Sequence, residues 1–377
     1  MLTLVLTGSL FLIFWAYFGY PLSLEVVSLF RSQAVAKGDY LPSMTLIITV
    51  HNEEKRIREK LENTLGIDYP RNRLQVLVAS DGSTDATNSI VSEYADRGID
   101  LFEVRRRGGK ENAQREAVAV ATGEIIAFSD VATIILPDGL RAIAANFADP
   151  TVGCVSSVDR IVGHDGKSCG EGFYVRYEMW LRGLESRVNS LVGLSGSFFA
   201  ARRKVCADFS AEMQSDFRTV LNSMKLGLRG ISDPAVIGYY PDIADSNKEF
   251  DRKVRTVLRG LTVYFRNLEF LNPFRYGLFA YQFFCHKLLR WLVPLFLLLA
   301  LISNLLLINF SDLFLLLFLG QAAFYAAAFY AWRQRETPTQ ILLKIPLYFM
   351  TVNLSILVAW WRYLSGNRMV MWAPSQR

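Results

Sequence analysis

Leu74-Gln75-Val76-Leu77-Val78-Ala79-Ser80-Asp81-Gly82-Ser83-Thr84-Asp85 is the stretch on which the fold turns. Its apolar, β-rich run, residues 74–79, stops at a cluster of Ser, Asp and Gly, residues that close turns and cap helices. A helical pattern follows. Upstream, the β-rich run 44–50 leads directly into a helix-like stretch over 53–65. Downstream come an edge strand at 100–104, a helix around 111–121 and a strand at 124–129. Strands alternating with helices predict an α/β domain whose parallel sheet is joined by crossover helices. No internal repeat or low-complexity linker breaks the pattern.

Sheets of this kind bind ligands beyond the carboxyl ends of their strands. Three polar clusters occupy those ends: His51-Asn52-Glu53-Glu54, Ser80-Asp81-Gly82-Ser83 and Ser129-Asp130. Singly, each reads as an ordinary turn or N-cap. Their joint placement at successive strand ends favours a ligand site.

Outside this domain the composition changes. Of the 377 residues, 51% are hydrophobic, and the excess lies at the two ends. Residues 2–24 form an almost uncharged run long enough to span a bilayer, with Trp15, Tyr17 and Tyr20 near one end as interfacial rings. The run lacks a basic n-region and exceeds a typical h-region. It therefore reads as a retained anchor, although Ala34-Val35-Ala36 resembles a signal-peptide cleavage site.

Further apolar stretches occupy about 288–310, 313–332 and 345–361. Lys287 and Arg290 precede the first, and Arg333, Arg335 and Lys344 follow the second, whereas the turn 309–312 carries neither Lys nor Arg. The positive-inside rule predicts a multi-pass protein of the inner (plasma) membrane with its α/β domain in the cytoplasm. Pro346 and Asn353 interrupt the last stretch, and Arg362, Arg368 and Arg377 follow or flank its end. The expectation is that 345–361 does not cross fully and that the C-terminus is cytoplasmic.

The formal net charge is +6. Arg252, Lys253, Arg255, Arg259, Arg266 and Arg275 alternate with Val254, Leu258, Leu261, Phe265 and Leu268 at helical spacing, which predicts a basic amphipathic helix on an anionic leaflet. Nothing resembles a nucleic-acid recognition module. Cys154, Cys169, Cys206 and Cys285, with His51, His164 and His286, show neither metal-type pairing nor a disulfide framework, and free thiols suit a reducing cytoplasm. The expected organisation is a transmembrane helix over 1–30, an α/β domain over 31–250, a basic interfacial segment over 251–286 and a membrane region over 287–377.

Four stretches occur in a telling order: Ile47-Ile48-Thr49-Val50-His51-Asn52-Glu53-Glu54, then Val78-Ala79-Ser80-Asp81-Gly82-Ser83-Thr84-Asp85-Ala86-Thr87, then Gly109-Lys110 with Asn112-Ala113, and finally Thr122-Gly123-Glu124-Ile125-Ile126-Ala127-Phe128-Ser129-Asp130. Over about 43–260 the chain resembles the membrane-bound family 2 glycosyltransferases, inverting enzymes of the GT-A fold that include bacterial polysaccharide and exopolysaccharide enzymes.

The resemblance implies a nucleotide-sugar donor, UDP-linked. Asp81 would accept from a uracil-like ring N–H, backbone around Val50, His51 and Asn52 and the Glu53 side chain would border the nucleoside, and Lys110 would lie near the base or diphosphate. Asp130 stands at the first acid of the Asp-x-Asp element, which implies a divalent cation, Mg²⁺ or Mn²⁺, weakly held because Ala132 replaces the second acid. Gly193-Leu194-Ser195-Gly196-Ser197 resembles the acceptor-side loop, with Ser195, Gly196 and Ser197 at its tip. Asp216 of Gln214-Ser215-Asp216-Phe217 stands at the catalytic base, with Ser215 in place of the usual first acid. The segment around Glu249 to Arg255 resembles one that closes over the donor, making Arg252 and Arg255 diphosphate partners. The Gln-x-x-Arg-Trp of cellulose-synthase-type members is missing from it.

The implied activity is inverting sugar transfer to a hydroxyl of a lipid-linked glycan or polysaccharide in cell-envelope or exopolysaccharide synthesis. Membrane lipids, a homo-oligomer or an envelope-biosynthesis complex would be its partners. A polyprenyl-phosphate sugar transferase and a processive polysaccharide synthase are the rival enzymes. A catalytically inactive nucleotide-sugar-binding regulator is the rival suggested by Ala132 and Ser215.

Overall fold

The computed structural model describes residues 1–162, 173–241, 246–334 and 340–367. His164, Cys169, Arg335, Arg368 and Arg377 lie outside them. The chain divides into a helical unit, built from Met1–Ser23, Asp245–Thr262 and Ala280–Arg368, and an α/β unit, built chiefly from Leu24–Ala244 and Val263–Phe279.

Among the described residues the α/β unit contains eight strands: β1 (Met44–Val50), β2 (Leu74–Ser80), β3 (Ile99–Glu103), β4 (Ile125–Asp130), β5 (Ile134–Ile135), β6 (Val152–Val162), β7 (Phe198–Arg202) and β8 (Arg229–Pro241). They form one sheet in the order β3-β2-β1-β4-β7-β6-β8-β5. β1 is buried along its whole length, as a central strand covered on both faces must be. It pairs in parallel with β2, ending at Val50↔Ser80, and with β4, ending at Thr49↔Asp130. All three polar clusters therefore reach one edge of the sheet. β3 is the outer strand, as expected.

Beyond β4 the sheet departs from the all-parallel expectation, for β7 runs antiparallel to β4 and to β6, while β6 is parallel to β8. The cause is local. The Asp130 N–H donates to Ser197 O at 2.9 Å, so the chain re-enters the sheet at the edge where β4 ends and can only run back along it.

The helix after β1, Ile57–Leu65, starts later than expected because residues 53–56 form a turn in which the Arg56 and Ile57 N–H groups donate to Glu53 O. The helix Lys110–Val120 crosses back towards β4.

Among the described residues, four helices are long and apolar enough to cross a membrane: Leu2–Phe30, Leu278–Leu307, Asp312–Arg333 and Ile341–Leu364. The last runs unbroken through Pro346 and Asn353, where an interruption was expected. The Asn353 side-chain amide donates to Phe349 O at 2.8 Å, one turn back in the same helix. Tyr20 is fully buried and meets Tyr281 edge-on at 5.6 Å. The basic segment also differs from expectation. In the helix Ser246–Phe265, Val254, Leu258 and Leu261 are completely buried, so the stripe expected to face a leaflet is covered by protein.

Candidate active site

On the donor side, the ends of β1 and β2 are tied together. Asp81 N–H donates to Val50 O at 2.9 Å, and His51 Nδ1 lies 2.9 Å from Asp81 O. Asn52 has φ +52°, the only positive φ at a non-glycine among the described residues. Asn tolerates that region better than most side chains. There its Oδ1 accepts from the Thr84 N–H at 2.8 Å and its own N–H donates to Ser83 Oγ at 3.2 Å.

The Asp81 carboxylate is fully buried, and its two oxygens accept from the Gly108 and Gly109 N–H groups at 2.8 Å each. Asp81 thus positions the loop leading into the Lys110 helix, and each oxygen keeps a lone pair. Glu53 is also buried. Arg56 donates to both its oxygens at 2.8 and 2.9 Å, while burial pushes the Glu53 carboxyl above its usual range.

At the end of β4, the Lys110 ammonium forms an ion pair with Asp130 Oδ1 and donates to Gly196 O at 3.0 Å. An ammonium has three N–H donors, which leaves one for a phosphate oxygen. Beneath this pair lies Lys60, buried, its Nζ donating to Ser129 Oγ at 2.7 Å and to Thr133 O at 2.5 Å. Burial lowers Lys60 to about 7, against the opposing pull of the Asp130 charge.

No group of three or more His, Cys, Asp or Glu able to hold a metal occurs among the described residues. Mg²⁺ commonly binds through one or two carboxylates together with substrate phosphates and water. Asp130, with its second oxygen outside the Lys110 pair, fits that mode.

On the acceptor side, Asp216 stands in the first turn of the helix Ser215–Lys225, where a negative charge suits the helix dipole. Its Oδ1 accepts from the Phe217 N–H at 2.7 Å and its Oδ2 from Gln214 Nε2 at 3.3 Å. A Cβ on Gly196 would lie 2.8 Å from Asp216 Oδ2, so only glycine admits the carboxylate this close. Gly196 therefore carries Lys110 on its carbonyl and Asp216 against its α-carbon.

Sequence reasoning missed Asp159. Near the end of β6 it accepts from Ser195 Oγ at 2.5 Å and from Ser197 Oγ at 2.7 Å, fixing the loop from below. The signal was an acid late in an apolar strand, legible only once β6 is known to lie beside β7. Arg252 and Arg255 belong to the helical unit. There Arg252 pairs with Glu249 at 2.7 Å.

Polar clusters on the carboxyl edge of a mixed parallel and antiparallel sheet are the arrangement of the GT-A fold. Residues 45–209 match the family described as Glycosyl transferase family 2. A β-monoglucosyldiacylglycerol synthase of Synechocystis is 32% identical over 118 residues, 30% of this chain and 25% of that protein. The succinoglycan biosynthesis protein ExoO of Rhizobium meliloti is 29% identical over 132 residues, 34% of this chain and 37% of that protein. The chain thus spans well under two thirds of these relatives. A mannosyltransferase from Pyrobaculum calidifontis, solved in complex with GDP-Man and Mn²⁺, matches 97% of this chain and 100% of its own with a TM-score of 0.76. At 23% identity, that likeness speaks to the fold alone.

Proposed function

We propose that the protein transfers a sugar, with inversion, from a nucleoside-diphosphate sugar, UDP-linked by its motifs, to a hydroxyl of a lipid-linked glycan or polysaccharide at a membrane. The single observation that carries this reading is the position of Gly196, in contact with Lys110 on one side and Asp216 on the other. One loop thereby joins a cation suited to a leaving diphosphate to a carboxylate suited to an attacking hydroxyl.

Asp216 accepts the acceptor's proton as its oxygen forms a bond to the anomeric carbon, and the bond from that carbon to the diphosphate breaks on the opposite face. Lys110 meets the charge left on the nucleotide. Asp130 would hold a divalent cation, Mg²⁺ or Mn²⁺, which when bound would supply further neutralisation of the diphosphate. Val50, His51, Asn52, Glu53 and Asp81 frame the nucleoside, and Ser195 and Ser197 orient the acceptor. The catalytic domain faces the cytoplasm. The glycolipid synthase among the relatives supports an acceptor held in a membrane.

The test is incubation of the full chain in membranes with labelled UDP- and GDP-sugars, with and without EDTA, followed by separation of lipid-linked and polymeric products. A lipid-linked or extended glycan whose formation needs Mg²⁺ or Mn²⁺ supports the reading. No product from any donor, with nucleotide still bound, would leave the inactive regulator as the better account.

A further inference from the structure

The α/β unit holds a second cavity, of about 810 Å³, lined among others by Arg31, Asp149, Lys225, Arg229 and Arg275. It is separate from the transferase site. β6 and β8 pair from Val152↔Arg229 to Asp159↔Gly238; Arg229 marks the cavity, and Asp159 holds the acceptor loop. At about 3.3 Å per residue, roughly 20 Å of strand lies between them.

The cavity is built and basic. Arg229 is buried at its wall, donating to Asp149 Oδ2 at 3.1 Å and to the carbonyls of Gln33 and Ala34 at 2.8 and 3.2 Å. Lys225 and Arg275 share Glu269, at 2.7 and 4.0 Å. With Arg31 added, the four cations outnumber the carboxylates of Asp149 and Glu269 by two.

Chain connectivity gives the cavity an address. Arg31 directly follows the apolar helix Leu2–Phe30, and Arg275 stands three residues before the apolar helix Leu278–Leu307. At no more than about 3.6 Å per residue, each cation lies within roughly 11 Å of the end of its helix. The neighbours of both are bare and apolar: Leu29 is 79% exposed, Phe30 86% and Phe274 99%. Cations beside exposed rings where a chain leaves a bilayer suit a ligand with a phosphate at one end and hydrocarbon at the other.

We infer that this cavity binds the headgroup phosphate of an anionic glycerophospholipid, with the acyl chains against Leu29, Phe30 and Phe274. Guanidinium forks match phosphate oxygens, and the excess positive charge selects an anionic headgroup over a zwitterionic one. The inference rests on the membrane reading of the four helices and is independent of the transfer chemistry.

The test uses the detergent-solubilised full chain with short-chain phosphatidylglycerol, phosphatidylcholine of the same chain length, and inorganic phosphate, read by native mass spectrometry and by the shift in Tm. Phosphatidylglycerol should be retained and should raise Tm, and the other two should do neither. The double variant R31Q/R275Q alters two exposed side chains and should weaken phosphatidylglycerol binding by about fivefold per cation removed, while nucleoside-diphosphate binding stays at the parent level. K225Q should weaken it similarly. Equal retention of phosphatidylcholine, equal binding of inorganic phosphate, or phosphatidylglycerol affinity unaltered in these variants would each overturn the inference. Absence of transferase activity in the parent would bear on the proposed function and leave this result readable.

Discussion

In the proposed reaction Asp216 has the hardest single task. A sugar hydroxyl is a weak nucleophile at neutral pH, and a positioned base contributes about 10²–10⁴-fold to such a reaction. Asp216→Asn keeps the size of the side chain, so nucleoside-diphosphate affinity by calorimetry should match the parent while transfer falls by that factor. Turnover near the parent rate would move the base elsewhere. Asp208 and Glu212 are paired with Arg218 and Arg266, and Asp233 with Lys37, which leaves Asp159, on β6 and hydrogen-bonded to Ser195 and Ser197, as the next carboxylate to test.

Lys60 makes a different prediction. Its folded pKa of about 7 lies below its ordinary 10.5 because burial disfavours the charge. Between those values the unfolded chain binds a proton that the folded chain does not, so stability rises with pH from about 7 to 10.5. Below about 7 both states are protonated and this contribution stops changing. Tm measured across that window should climb in the parent, and the climb should be smaller in Lys60→Met. Identical pH profiles for the two proteins would show that Lys60 stays charged.

The loop carrying Ser195, Gly196 and Ser197 is the element on which both halves of the site depend. Asp159 holds its hydroxyls, Lys110 its carbonyl, and Asp216 packs against its glycine. In Gly196→Ala the new methyl, 2.8 Å from Asp216 Oδ2, must displace the carboxylate or the loop. A misplacement of about 1 Å can cost about 10²-fold in rate. Transfer should drop by that order with little change in donor affinity, as measured by kcat against nucleotide Kd; parent-like kcat would mean the loop is slack. Other elements were readable in advance to differing degrees. β1, β2 and β4 announce themselves as short β-rich runs ended by turn chemistry. The helix Ser246–Phe265 misled, because an apolar stripe at helical spacing looks the same whether protein or lipid covers it, and here Val254, Leu258 and Leu261 are covered by protein.

For the whole molecule, four continuous apolar helices carry a topological consequence. If each crosses, the segment after the fourth emerges on the side opposite the α/β domain, which follows the first. A cysteine at Ser365 should then react with an impermeant maleimide in intact cells, and one at Asp96 only after permeabilisation. Cys154, Cys206 and Cys285 are buried, and a Cys169→Ser background removes the remaining native thiol. Protection of Ser365→Cys in intact cells would return the last helix to a non-crossing arrangement. The sequence by itself determined the α/β class, the strand ends that gather the polar clusters and the apolar segments at both ends of the chain, because these follow from periodicity and turn chemistry within a few residues. Only the tertiary structure decided that Asp81 holds the Gly108-Gly109 amides, that Lys110 pairs with Asp130, that Gly196 separates Lys110 from Asp216, and that Asp159 anchors the loop. Each of these joins residues distant in the chain, those at Gly196 and Asp159 through the return of β7 along β4, and local sequence carries no record of which neighbour a buried polar group will meet.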